Sequence, residues 1–125
     1  MKTIREIENR REAILGQMRE IRSLERGTIN QHFVPVTKKG RKEPERKGPY
    51  YVISRREENK TKGYHLRGGE ELARARRDVE AHRRFRELCR EYEELTERLG
   101  RLERALAEGD AEKKRRRSRS NGTRR

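Results

Sequence analysis

Apolar residues recur at helical spacing near both ends of the chain and at alternating spacing between them. Residues 2–25 read as a helix: Ile4, Ile7, Ile14, Met18 and Ile21 share one seam, Arg11 takes one position of it, and Leu15 and Leu24 widen the stripe. Glu6 and Arg10 have the favourable order and spacing, Gly16 weakens the middle, and Gly27 is a natural stop because a left-handed cap needs no Cβ. A longer helix is expected over residues 70–108, opened by Gly68-Gly69 and the acidic Glu70-Glu71. Its stripe is Leu72, Ala75, Val79 and His82, then Phe85, Leu88, Tyr92, Leu95, Leu99, Leu102 and Leu106, with coiled-coil spacing from Phe85 onward. Gly100 is a flaw, and Gly109 is the expected end.

Between the helices the pattern is that of strands. Residues 28–37 are β-branched and aromatic, with Ile29, Phe33 and Val36 as apolar contributors, and Pro35 restricts them to an edge. Residues 38–48 read as a solvated loop. In residues 49–56, Tyr50, Val52 and Ser54 face one way and Tyr51, Ile53 and Arg55 the other. Glu57-Glu58-Asn59 turns the chain, and Thr61–Arg67 returns with Tyr64 and Leu66 on one face. The expected fold is therefore α+β: two long antiparallel, coiled-coil-like helices with a small three-stranded antiparallel β-meander between them. This module takes residues 1–108, with the sheet in 28–67, and residues 109–125 are expected to be a disordered basic tail.

Composition supports a long-helix design. Only 28% of the 125 residues are hydrophobic, 46% are charged, and there is no Trp, which is too little for an ordinary core but enough for an apolar stripe. Cys89 is the one cysteine, so no internal disulfide can form. No leader-like or membrane-spanning run is evident, and the expected location is cytoplasmic with no membrane partner.

Charge is spread unevenly along the chain. Of the net +14, residues 27–69 carry +7 and residues 109–125 carry +6, while the two helical stretches are close to neutral. Clustered cations favour an anionic polymer, because binding releases counterions from its phosphates. The candidate nucleic-acid-binding residues of the sheet region are Lys38, Lys39, Arg41, Lys42, Arg46, Lys47, Arg55, Arg56, Lys60 and Lys62. Arg76, Arg77, Arg83 and Arg84 join them from the basic half of the second helix, both seven-residue pairs being expected on the side away from Leu72 and Val79. The tail adds Lys113, Lys114, Arg115, Arg116, Arg117 and Arg119, whose phosphate contacts read no bases. Tyr50, Tyr51 and Tyr64 could stack on unpaired bases or pack in the core.

Catalysis finds no support: there is no Gly-rich phosphate loop and no Ser/His/Asp arrangement in a recognisable context. His32, His65, His82 and Cys89 lack metal-ligand spacing, so neither a metal nor a cofactor is expected. The expected function is non-enzymatic binding of DNA or RNA. The alternative is a coiled-coil interaction or adaptor protein, whose leftover seam at Leu99, Leu102 and Leu106 docks another protein or a second copy as a homodimer.

Several pieces occur in a suggestive order: a helix, Arg26-Gly27-Thr28-Ile29, Phe33-Val34, Gly48-Pro49-Tyr50-Tyr51, Lys60-Thr61, Tyr64-His65-Leu66, and a long helix containing His82-Arg83-Arg84-Phe85-Arg86-Glu87-Leu88. Together they resemble an uncharacterised family of small bacterial and archaeal proteins, a domain of unknown function often encoded beside mobile elements. The resemblance covers residues 1–106 and implies a fold and a mobile-element setting more than an activity. Members often carry a Cys-rich stretch ahead of the Gly-Pro-Tyr motif. Here residues 36–44 hold no Cys, so a metal role of that stretch would be lost.

Overall fold

The structure is a computed structural model describing residues 3–37, 39–40, 43 and 45–122. The elements run α1 (Ile4–Glu20), β1 (Thr28–Val36), β2 (Glu45–Glu57), β3 (Lys60–Leu66) and α2 (Glu70–Gly122). The chain is thus α+β, with one short helix, a three-stranded antiparallel sheet in the order β1-β2-β3, and one long C-terminal helix. Its contacts divide it into two units, one of Met1–Glu20 with Glu87–Arg125 and the other of Ile21–Arg86.

The expected pair of long helices is not found. α1 has 17 residues, roughly 25 Å of helix, against 53 residues in α2. Thr3 and Glu6 start α1 as a reciprocal cap: each accepts the other's backbone N–H, both at 3.2 Å. Its early end has a tertiary cause. Ser23 Oγ donates to Asp78 Oδ1 at 2.8 Å, the Glu25 N–H donates to the Asp78 carbonyl at 3.0 Å, and the Glu25 carboxylate receives Arg55. Those contacts draw residues 21–26 out of helix, so Gly27 is not a helix cap. Gly27 instead presses its backbone on β2 with φ near 143°, where a Cβ would stand 2.9 Å from both Ile53 Cγ1 and the Ser54 carbonyl oxygen.

The disordered tail is also corrected. α2 runs through Gly109 without a break and continues to Gly122. One glycine costs a helix about 1 kcal/mol, which neighbours such as Ala105, Ala107 and Ala111 and the Arg116–Glu112 pair at 3.2 Å help to offset.

In the first unit the buried apolar side chains are Ile7 and Ile14 from α1 and Leu88, Leu95 and Leu99 from α2. Arg10 adds a two-pronged ion pair to Glu91, at 2.8 and 2.9 Å. Arg11, at its seam position, lies over the Tyr92 ring at 4.9 Å and donates to the Tyr92 hydroxyl at 3.0 Å.

The second unit is built on the sheet. β2 pairs with both neighbours, with Ile53 opposite Ile29 and Tyr64. Ile53 and Leu72 are buried, and Tyr51, Ala75 and Val79 are half-buried. Glu58 and Asn59 connect β2 to β3, both with positive φ, as a two-residue hairpin turn of this twist requires. A bulge falls between His32 and Val34, where Gly48 lets β2 pass close: a Cβ there would lie 2.8 Å from the His32 carbonyl oxygen.

Candidate nucleic-acid interface

Alternation along the strands sorts the cations of the second unit by face. The face carrying Ile53 also carries Ile29, Gln31, Tyr51, Arg55, Glu57, Lys62 and Tyr64, as the strand register requires. α2 covers it: Arg76 lies over the Tyr51 ring at 5.4 Å, and Val79 shares a cleft with Ile29 and Tyr51.

Charge on this covered face is balanced internally. Arg55 Nε donates to Glu57 at 2.7 Å, Arg55 Nη1 donates to Glu25, and the guanidinium sits over Tyr64 at 4.8 Å. Lys62 stands 3.7 Å from the same Glu57 carboxylate, and Tyr64 donates its hydroxyl to it at 2.9 Å. The hydrogen bond from Tyr64, then that from Arg55, holds the Glu57 carboxyl below its ordinary range. Hydrogen bonds to Glu57 and Glu25 raise the Arg55 guanidinium above its ordinary value. Arg55 is therefore tied into the fold, and Lys62 is partly neutralised.

The Arg-rich stretch of α2 departs from its expected orientation. Arg76 and Arg83 do not project away from Val79; with Val79 and Glu80 they line a cleft of about 490 Å3 whose other wall is Gly27, Thr28, Ile29, Gln31 and Tyr51. Positions 76, 79, 80 and 83 fall on one side of a helix, which explains the grouping. Glu80 stands 3.6 Å from Arg83 there, so the cleft is not purely cationic. Arg77 and Arg84 are exposed outside its lining.

The remaining sheet cations are more open. Arg46, Lys47 and Arg56 are exposed on β2, Lys60 is exposed at the start of β3 although the register puts it on the face of its partner Glu57, and Lys39 is exposed in the turn before β2. Arg46 lines a shallow recess with Gln31, His32, Phe33 and Pro35. Lys38, Arg41 and Lys42 lie outside the described residues. In the first unit Lys113, Lys114, Arg115, Arg116, Arg117 and Arg119 are exposed on α2, and because 113–117 are consecutive they point all around the helix. Among the described residues Arg46, Lys47, Arg56, Arg77, Lys113, Lys114, Arg115 and Arg117 make no ion pair, whereas Arg116 is paired with Glu112.

Two residues enter the surface that charge counting passes over. His32 lies across from Tyr50, and His65 meets the Tyr50 ring edge-on at 6.4 Å. The even positions of β2 carry the signal, since Tyr50 and Val52 share a face with the strand partners His32 and His65. Among the described residues no group of three or more His, Cys, Asp or Glu could hold a metal ion, and no helix is long and apolar enough to cross a membrane. Comparison with family models, with curated proteins and with solved structures finds no match to this chain.

Proposed function

We propose that this protein binds DNA or RNA without catalysis, chiefly through phosphate contacts. The observation that carries the reading is the division of its cations. Arg10 and Arg55 are held by carboxylates, while Lys113, Lys114, Arg115 and Arg117 stand exposed with no ion pair among the described residues. A helix with cations all around its circumference has no apolar face to pack there, and it offers charge in every direction to a polyphosphate. Arg46, Lys47, Arg56 and Arg77 add a second open group in the sheet unit. Such contacts supply affinity and salt dependence rather than base preference.

The test is to neutralise each group separately. Changing Lys113, Lys114, Arg115 and Arg117 to Gln, and in a second variant Arg46, Lys47, Arg56 and Arg77 to Gln, should each weaken binding and reduce its salt dependence. Unchanged affinity in both variants would refute the reading.

A second reading, an adaptor that docks a protein through its helices, is favoured by a recess of about 640 Å3 lined chiefly by Leu15, Met18, Cys89, Tyr92 and Thr96, and by Leu106 at 59% exposure. A sharp oligomer in sedimentation, with no affinity for any polynucleotide, would favour it over the first.

A further inference from the structure

We propose that the sheet face opposite α2 is a stacking platform for the unpaired bases of a single-stranded polynucleotide. The inference rests on the nucleic-acid reading above and narrows that reading to one class of strand.

Strand register assembles the face. Thr28, Asn30 and His32 of β1 pair with Ser54, Val52 and Tyr50 of β2, and Val52, Ser54 and Arg56 pair in turn with His65, Gly63 and Thr61 of β3. Cross-strand partners share a face, so these ten residues stand together on the side that Ile53 does not occupy. Tyr50 is 39% exposed, and His32 and His65 are exposed beside it. A sheet face waiting for a second protein layer carries mainly aliphatic residues, and here Val52 is the one aliphatic side chain. A face meant only for water does not need three neighbouring rings.

Its charge points the same way. None of the ten residues is acidic, whereas Glu57 lies on the covered face. Arg56 stands exposed at one end of the rings, and Arg46 shares a recess with His32 at the other. Rings between open cations suit a strand whose bases stack while its phosphates meet guanidinium groups. A duplex keeps its base faces inside and cannot use the rings in this way. Stacking of this kind tolerates sequence variation, because every base has a π-face.

The experiment measures anisotropy of labelled oligo(dT), oligo(rU) and a duplex with the full chain, comparing wild type, Tyr50→Ala, Tyr50→Phe and a His32→Ala/His65→Ala double variant. Circular dichroism checks that each is folded. Tyr50→Ala should weaken binding to the single strands by roughly ten-fold or more, and Tyr50→Phe should retain it, because stacking needs the ring and not the hydroxyl. Duplex affinity and the salt slope should stay as in wild type, since no cation is removed. Wild-type affinity for the single strands in both Tyr50→Ala and the double variant would overturn the platform while leaving phosphate binding intact. An equal loss on the duplex would also overturn it. Failure of the wild type to bind any of the polymers would instead remove the phosphate reading, and the platform with it.

Discussion

Tyr64 donates its hydroxyl to Glu57 Oε2 at 2.9 Å, and the other oxygen of that carboxylate accepts Arg55 Nε at 2.7 Å. Both bonds favour the ionised carboxyl, so Glu57 titrates lower in the folded chain than in the unfolded one. A lowered carboxyl contributes stability that is fully present above its unfolded value, near 4.5, and is lost as pH falls through the folded value. Chemical denaturation from about pH 6 to about pH 3 should therefore show Glu57→Gln losing less stability on acidification than wild type. Parallel curves would mean that the network contributes nothing to the acid limb.

The hairpin turn carries a correctable flaw. Glu58 and Asn59 have φ of 47° and 65°, and a glutamate side chain tolerates that region poorly. Replacing the pair by Asn-Gly should raise stability by about 1 kcal/mol, read as a shifted urea midpoint with unchanged slope.

Gly27 should be far less forgiving. With φ near 143° and Ile53 and the Ser54 carbonyl at 2.9 Å from a would-be Cβ, Gly27→Ala should cost roughly 2–3 kcal/mol. Adding Ile53→Val removes a side-chain clash but not the carbonyl clash, so it should restore little. Gly16 has nothing within 4 Å of a would-be Cβ, and Gly16→Ala should stabilise α1 by about 1 kcal/mol.

Much of the sheet was legible in the sequence because strand periodicity is strict. Tyr51 and Ile53 lie on the covered face and Tyr50 and Val52 on the other, as the alternation predicts. Leu88 and Leu95 are buried in line with the seam pattern, whereas Leu99, expected in the leftover seam with Leu102 and Leu106, is buried as well. What the sequence concealed is tertiary or marginal. The end of α1 at Glu20 depends on Asp78 receiving Ser23 and Glu25, a contact across 55 positions in the case of Ser23. Arg55 reads as a free cation until Glu25, 30 positions away, is seen to hold it. Gly109 carries too small a penalty to decide between helix and coil by itself.

The continuity of α2 across Gly109 makes its own prediction. Residues 103–119 are exposed, so local hydrogen bonds and pairs such as Arg116–Glu112 hold this stretch. Gly109→Ala should slow amide exchange in that stretch by roughly five-fold, the equivalent of about 1 kcal/mol, with little change around Leu88 and Leu95. Equal exchange in the two proteins would contradict the account of the helix.

The proposed function rests on exposed, unpaired cations binding polynucleotide phosphates. Its most direct test is titration of labelled duplex DNA, single-stranded DNA and RNA with the full chain across roughly 50–300 mM salt. Binding to at least one of the three is expected, with log affinity falling linearly in log salt and a shallower slope when Lys113, Lys114, Arg115 and Arg117 are changed to Gln. No binding to any polymer at the lowest salt, or affinity indifferent to salt, would contradict it.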